Sequence, residues 1–541
     1  MYEIYSNVVD IQKREIFPAC VKIDCGIIHS INKCDGEFDS YIMPGFVDAH
    51  VHIESSMVTP YEFSREAVKH GTVGTVSDPH EIANVLGIEG VTFMIDSARR
   101  SPMKFTFGAP SCVPATTFES SGASIKADEV DKLFDIPEIT FLSEVMNFPG
   151  VIYGEESLLK KLHSAKKRGY PVDGHAPAVS GHDLRKYADE GITTDHECFS
   201  YNEGKEKIAV GMKILIREGS AAKNFNSLIP LLKDYPEQIM FCSDDLHPDD
   251  LLKGHINVLV KRALKLGYDI FDVLRASSYN VIKHYNLNVG MLQQNDPADF
   301  LMVNNLEDFN VIATYIDGKA VFSDGYQSLK PIKESPLNIF NANYIEKKDL
   351  QILFKTDYMK VIEAIEGELV TRKLMLKVKE ENGLVAIDKR NDILKIVVQN
   401  RYKGSNPALG LIKGFNLKHG ALCSSISHDS HNIVCVGTDD QLIIETMNWI
   451  IDHKGGIAYH DGKTIHGAAL AIAGIISGET VKEVANSYAN ITNEAIKNGT
   501  TLKAPLMTLA FMSLLVIPEL KLSDQGLFDV NAFEFTSLYD E

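Results

Sequence analysis

The hydrophobic pattern changes character along the chain. Up to about residue 42, short β-branched runs such as "NVVDIQ" and "CVKIDCGIIHSI" alternate with turn residues, which predicts a small β-domain. From residue 43 strand-like runs recur with amphipathic or polar stretches between several of them: "SYIMPGFVDAHVH", "GTVGTVSD", "MKFTFGAP", "ITFLSEVM", "YPVDGHAP", "GITTDHE", "MKILIREG" and "QIMFCSDD". Strand alternating with helix predicts parallel βαβ units, and eight of them is the number that closes a barrel. After a helical stretch over 248–288, "ADFLMVNNLEDFNVIATYIDGKAVFSDG" returns to β-texture, as expected of a strand pair that rejoins the N-terminal β-domain.

"LKPIKESPLNIFNANY" at 330–345 has the Pro/Asn signature of a boundary, and beyond it lie further strands ("ILKIVVQNRY", "NIVCVGTD") and helices ("DDQLIIETMNWIIDHK", "GETVKEVANSYANITNEAIKNG"). The apolar run "LMTLAFMSLLVI" at 506–517, bracketed by Pro505 and Pro518, is too short to span a bilayer and reads as buried core. The expected fold class is therefore α/β. A (β/α)8 TIM-like barrel occupies 43–295, a small β-domain is built from 1–42 and 296–335, and a C-terminal α/β domain occupies 340–541.

Composition narrows the function classes. With 541 residues, 45% hydrophobic and 23% charged, the chain is expected to form two to four globular domains. A net charge of −19 without a dense Lys/Arg cluster argues against a nucleic-acid partner. The eight cysteines form no C-x-x-C pair, so neither a disulfide framework nor a thiolate zinc site is expected. The charged opening "MYEIYSNVVDIQKREIF" lacks the apolar core of a signal peptide. The expected setting is the cytoplasm, with no membrane partner.

Candidate chemistry begins at "PGFVDAHVHIESSM". In a strand, residues i and i+2 share a face, so His50 and His52 project together from the end of the first barrel strand, where active sites of barrels sit. Against this stands a chance pairing in a chain with 18 histidines. Other strand ends supply further donors: Glu144 in "LSEVM", His175 in "DGHAP", His196 in "TDHE" and Asp244 in "CSDD". The intervals from His52 onward are 92, 31, 21 and 48 residues, spanning three, one, one and two units. Random scatter would not keep that rhythm.

Four histidines and two carboxylates exceed one tetrahedral site, since a catalytic zinc commonly takes three protein ligands and water. The count suits two divalent ions bridged by Glu144, with a shared water deprotonated near neutral pH. Asp244 is placed to ligate one ion and to accept a proton.

"PGFVDAHVH" with the later His, His and Asp resembles the amidohydrolase superfamily of metal-dependent barrel hydrolases. The longer blocks "GTVGTVSDPHEIANVLG", "SEVMNFPGVI", "GHAPAVSG", "TDHECFS", "ILIREGSAAKN", "FCSDDLHPDDLL" and "SHDSHNIVCVGTDD" resemble the adenine deaminases of bacteria and archaea, over nearly the whole chain. This resemblance implies hydrolysis of adenine to hypoxanthine and ammonia at a binuclear centre of manganese or iron, with zinc also compatible. It also implies a C-terminal domain of the adenine deaminase type and a homodimer or larger assembly. Carried over by position, the ligands are His50, His52, Glu144, His175, His196 and Asp244. Many binuclear relatives use a carboxylated lysine at the fourth strand; "FLSEVMNF" has none, and Glu144 takes that place. Ala178 in "GHAPAVSG" stands where the pattern leads one to expect glycine.

Deamination needs protons delivered to the purine ring and the leaving amine, and Glu81 in "SDPHEIANV", ahead of Glu197, is the preferred donor. The bland alternative is that either glutamate orients His80 or a ligand histidine. His80, Arg217, Ser220, His428 and His431 are assigned to substrate contact. For "REGSAAKN" at 217–224 the bland alternative is a loop closed by its own salt bridge, and for His247 it is a cap on the next helix. "SHDSHN" has the alternatives of a further metal or a simple turn. The nucleobase-deaminase pattern H-x-E with P-C-x-x-C is absent, so any deamination must come from the barrel. A hydrolase of cyclic amides or of another heterocycle on the same barrel would share all six ligands, while a non-catalytic binding barrel should have lost some of them.

Overall fold

Each of the eight apolar runs carries a parallel strand in a computed structural model of the protein. Residues 1–220 and 222–539 are described; Ala221, in the 217–224 loop, and Asp540 and Glu541, at the end of the expected C-terminal domain, lie outside the described residues. In chain order the first strands are β1 (Tyr2–Asp10), β2 (Glu15–Asp24), β3 (Ile27–Lys33) and β4 (Tyr41–Pro44). Next come β5 (Phe46–Val51), β6 (Thr72–Ser77), β7 (Lys104–Ala109), β8 (Ile139–Val145), β9 (Val172–Gly174), β10 (Thr194–Asp195), β11 (Lys213–Arg217) and β12 (Ile239–Cys242).

β5 to β9 form one parallel sheet and β10 to β12 another. Between the two, the Thr193 N–H donates to the Val172 carbonyl at 2.9 Å. At the other side Val51 and Asp244 form an isolated parallel bridge. There the Asp244 N–H donates to the His50 carbonyl at 2.9 Å and the His52 N–H to the Asp244 carbonyl at 3.2 Å. First and last strands thus meet, and the sheet is TIM-like. β5, β6 and β12 are buried along their whole length, as strands covered on both faces must be.

The intervening helices carry ordinary end signals. The helix Pro60–Ala67 starts behind a Thr59 side chain that accepts from the Glu62 N–H. The helix Glu156–Arg168 closes on Gly169 at φ 71°, with Lys166, Lys167 and Arg168 in its last turn. Phe225, Phe241, Ile214 and Leu274 belong to one buried cluster behind β11 and β12. Burying each such side chain contributes about 1.5–3 kcal/mol.

β1 to β4 join β13 (Phe300–Val303), β14 (Val311–Ile316), β15 (Lys319–Ser323) and β16 (Tyr326–Gln327) in a second sheet. β4 is its hinge point, parallel to β1 and antiparallel to β13. The β14–β15 turn uses Asp317 and Gly318 at φ 46° and 69°, the left-handed pair of a two-residue hairpin.

All these strands belong to one unit, made of 1–80, 91–112 and 125–332; the second unit comprises 81–90, 113–124 and 333–541. The second centres on an eight-stranded mixed sheet whose middle strands, Leu394–Gln399, Ile433–Gly437 and Ala421–Ser424, pack under the helix Asp440–Asp452. Within 506–517, the stretch Leu506–Leu515 is buried, as a short helix (Pro505–Ala510) and a single 3-10 turn. Among the described residues no helix is long and apolar enough to cross a membrane.

The second unit is less contiguous than the sequence suggests. Segments 81–90 and 113–124 come from the barrel's connecting loops. The Gly122 N–H donates to the Asn84 carbonyl at 2.8 Å, Asn432 Nδ2 to the Ser120 carbonyl at 2.9 Å, and the Phe118 ring packs on Phe528, Phe533 and Phe535. Periodicity is a local signal and does not see a loop that packs on residues four hundred positions away.

Candidate metal centre

Six donor groups converge at the strand ends of the first unit. His50 is the next-to-last residue of β5 and His52 follows that strand directly, Glu144 is the next-to-last residue of β8, His175 and His196 follow β9 and β10 directly, and Asp244 lies two residues past β12. His52 Nε2 is 3.3 Å from Glu144 Oε1 and 3.3 Å from Asp244 Oδ1. Glu144 Oε2 lies 2.6 Å from His175 Nδ1 and 3.1 Å from His196 Nε2. His50 Nε2 sits 3.1 Å from His52 Nε2 and 3.6 Å from Asp244 Oδ1, and its ring stacks on His196 at 4.2 Å. Asp244 adopts φ 55°, a left-handed conformation that costs a non-glycine residue about 1–2 kcal/mol. Such strain persists where the surroundings over-determine it.

The donor chemistry fits a divalent cation. His52 Nδ1–H donates to the Asp78 carbonyl at 3.2 Å, which orients the ring so that Nε2 is the nitrogen facing the cluster. Burial, with His196 and His52 beside it, pushes His50 down to about 3, so it stays a neutral donor. Burial opposes charge on His196, yet Glu144, Asp244 and Glu197 lift it to about 9. Burial also opposes ionisation of Asp244, but Arg217, His52 and His196 hold it well below the usual carboxylate range. Three buried carboxylates thus face one permanent cation, and the imidazoles make up the balance with protons. A metal would supply that charge instead. His50, His196 and Asp244 form one group whose donor atoms lie within 4.8 Å of one another, and Glu144, His175 and His196 form a second. Nitrogen and oxygen donors of this kind suit manganese, iron and zinc alike.

The other candidate residues divide. His80 Nδ1 lies 3.3 Å from Asp78 Oδ1 and 3.6 Å from Glu144 Oε1, so it stands among the donors. Glu197 reaches to 3.4 Å from His196 Nε2 and accepts from both terminal nitrogens of Arg217. Arg217 commits four of its five N–H groups to the protein: Nε to the Ala222 carbonyl at 2.7 Å, Nη1 to Asp244 Oδ2 at 2.6 Å, and Nη1 and Nη2 to Glu197. Glu218 pairs with Lys223 at 3.6 Å inside the 217–224 loop and with Arg262 at 2.9 Å outside it, so the loop does carry a salt bridge of its own. Ser220 does not join the cluster; its hydroxyl donates to Asp250 and accepts from the His247 N–H. His247 occupies the N-cap position of the helix Pro248–Leu251, but its side chain makes no capping bond.

In the second unit Glu81 is clasped by two histidines, with His428 Nδ1 at 2.7 Å from Oε1 and His431 Nε2 against Oε2. Burial opposes its ionisation, but the two imidazoles hold Glu81 well below the ordinary value. His428 in turn stacks on Phe511 at 4.6 Å.

Several supporting residues carried no signal of their own in the sequence. Asp78 accepts the His80 N–H at 3.1 Å and the Glu144 N–H at 3.2 Å. Asp195 accepts the Ala176 N–H and the Glu197 N–H, both at 2.9 Å, so it fixes the chain beside His175 and His196 together. Its counter-charge is Lys207, fully buried, whose Nζ is 3.0 Å from Asp195 and 2.7 Å from the Ala176 carbonyl. In "YNEGKEKIA" that lysine looks like one of several solvated charges. Ala178 takes φ 60°, which explains why glycine is expected there.

Residues 41–321 match the amidohydrolase family and 368–534 match the adenine deaminase C-terminal domain. The adenine deaminase of Sulfurovum sp. (strain NBC37-1) is 51% identical over 98% of this chain and 99% of its own length. That of Methanosarcina mazei is 48% identical over 98% of each. Among solved structures, N-acetylglucosamine-6-phosphate deacetylase from Thermotoga maritima aligns with TM-score 0.46 at 18% identity, covering 60% of this chain and 100% of that one.

Proposed function

The chain belongs to the amidohydrolase family and carries a C-terminal domain of the adenine deaminase type, and from that premise we propose that it hydrolyses adenine to hypoxanthine and ammonia. The two parallel sheets, tied at Thr193–Val172 and Val51–Asp244, are read as one closed (β/α)8 barrel over 43–295. The sheet containing β1–β4 and β13–β16 is read as a separate β-domain from 1–42 and 296–335, and the C-terminal domain as 340–541 with the two inserted loop segments.

One observation carries the chemical reading: a single carboxylate, Glu144, touches His52, His175 and His196, while Asp244 touches His50 and His52. His50, His52, Glu144, His175, His196 and Asp244 would together hold the pair of divalent ions proposed here, with Glu144 as the group shared between the two sets of donors. Manganese or iron is the proposed metal, with zinc compatible. Two divalent cations held there supply Lewis-acid charge and acidify water near neutral pH.

The residues of the chain do the rest. Asp244 Oδ1 faces the histidines and accepts the proton of the attacking water, while Arg217 occupies Oδ2 and keeps the carboxylate ionised. Water adds at C6 of adenine, the C6–N bond breaks, and the amine leaves as ammonia with a proton from an acidic side chain. Glu81, next in sequence to His80, is the proposed proton carrier to the ring; because His428 and His431 hold its carboxylate ionised, it must first take up a proton, and Glu197, ion-paired to Arg217, is the other carboxyl considered. Arg217, held by Glu197 and Asp244, acts through those carboxylates more than by reaching substrate. His80, His428 and His431 keep their proposed part in substrate contact, whereas Ser220, bonded to Asp250 and the His247 N–H apart from the donor cluster, does not. A cytoplasmic enzyme, acting as a homodimer or larger assembly on a free base, completes the proposal.

Ammonia release from a panel of purines, pyrimidines and cyclic amides, by protein stripped with chelator and reloaded with Mn(II), Fe(II) or Zn(II), tests it. Adenine should be turned over only after reloading. Turnover of a cyclic amide with adenine untouched would overturn the substrate.

A further inference from the structure

We infer that His255 is a positioning residue for the candidate metal centre: it locks the Asp48 carboxylate that sets β5 in register with the end of β12. The inference rests on the metal-centre reading above. Asp48 and His255 both have fully buried side chains, and neither takes part in the chemistry proposed so far.

Asp48 is saturated with donors. Its Oδ1 accepts the Ser243 N–H at 3.0 Å and the His50 N–H at 3.2 Å. Its Oδ2 accepts the Ser243 hydroxyl and, at 2.8 Å, His255 Nε2–H. With Nε2–H given to Asp48, a neutral ring leaves Nδ1 to accept the Thr72 hydroxyl, 2.7 Å away at the start of β6. One carboxylate and one imidazole therefore join β5, β6 and the end of β12.

The placement matters because of what comes next in the chain. His50 lies two residues beyond Asp48 on the same face of β5, His52 follows one residue past the end of that strand, and Asp244 directly follows Ser243. Above this point, among the described residues, the backbone hydrogen bonds that join the two segments are Asp244 N–H to the His50 carbonyl at 2.9 Å and His52 N–H to the Asp244 carbonyl at 3.2 Å. A strand seam this thin leaves the relative height of His50, His52 and Asp244 to the side-chain tie below it. Outer partners of this kind typically change metal affinity by about 10- to 100-fold when lost.

The experiment is Mn(II) binding by chelator competition on the full chain, normalised to folded protein by circular dichroism, for wild type, His255→Leu, His255→Gln and Thr72→Val. His255→Leu fills the space but offers Asp48 no donor, and Mn(II) affinity should fall by about 10- to 100-fold. His255→Gln retains an N–H donor and should recover most of that loss, a rescue that bulk packing would not produce. Thr72→Val removes only the hydroxyl and should weaken Mn(II) binding by less than His255→Leu, and it carries the test with His255→Gln if the leucine variant does not fold. Wild-type Mn(II) affinity in folded His255→Leu or in Thr72→Val, or an equal loss in His255→Gln and His255→Leu, would overturn the inference. Failure of the wild type itself to bind Mn(II) would instead overturn the metal reading on which it depends.

Discussion

The two sides of the centre are held by different means. On one side His50, His52 and Asp244 sit where the first and last strands meet, braced by the Asp48–His255–Ser243 hydrogen bonds. On the other, His175 and His196 follow β9 and β10, strands of three and two residues, too short for a ladder that could fix them. There the buried Asp195–Lys207 pair spans the gap and holds both polar groups of Ala176. Where the sheet runs out of backbone hydrogen bonds, side chains carry the alignment, and the choice of an ion pair or a hydrogen-bonded network decides how a lesion is felt.

The sharpest break in this comparison lies between the two carboxylates themselves. Asp244→Asn keeps the shape but removes the proposed proton acceptor, and kcat per bound metal should fall by about 10²- to 10⁴-fold. Glu144→Gln, which loses the group touched by three imidazoles, should lower metal content first, as measured by elemental analysis after gel filtration. The opposite pattern would mean that the sides have been assigned wrongly.

Lys207→Met attacks the ion-pair side. It leaves Asp195 buried without its cation, and removing one member of a buried pair typically costs about 3–5 kcal/mol. Urea unfolding should show that loss, and Lys207→Met combined with Asp195→Asn should regain part of it. A cost below about 1 kcal/mol, the range of exposed pairs, would show that the strut is not needed.

A further contrast separates two stacked rings, His50 pushed down to about 3 by burial and His196 lifted to about 9 by the carboxylates that outweigh its burial. A folded-state value raised above 6.5 stabilises the metal-free protein fully below about 6.5, and that contribution is lost as pH rises through about 9. Metal must displace the same proton, so apparent Mn(II) affinity should rise across this window, by up to about tenfold per pH unit for each imidazole proton displaced. His50 contributes nothing to either slope there. Melting curves of metal-free protein and Mn(II) titrations at several pH values check both directions; affinity that falls with pH would exclude a proton on His196.

Much of the centre was legible because its parts repeat. The strand ends recur at intervals of whole βα units, each donor falls within two residues of its strand end, and the resemblance covers these same blocks. What could not be read is what holds the donors in place. Asp48 and His255 are 207 positions apart, and nothing in "GHINVLVKRAL" marks that histidine as the partner of a carboxylate on the first strand. Lys207 sits among Glu203, Lys205 and Glu206 on a polar helix, where its complete burial has no local signature. Chain order places the loop segments 81–90 and 113–124 in the barrel, but their packing partners lie in the second unit.

The smallest effect falls at Ala178, three residues after His175 on the ion-pair side. Its φ of 60° is left-handed, which a side chain with a Cβ tolerates at a cost of about 1–2 kcal/mol. Glycine relieves that strain but gains freedom in the unfolded chain worth about 0.4–1 kcal/mol, so the two terms oppose each other. Ala178→Gly should therefore stabilise the protein by roughly 1 kcal/mol or less. The Ala178 N–H donates to Glu203 Oε1 at 2.9 Å, and Glu203 also bonds Lys207 at 3.0 Å, so the turn belongs to the same strut. If the gain disappears in the Lys207→Met background, the strained turn and the ion pair are coupled; if it persists unchanged, Ala178 is a local matter and the strut ends at Ala176.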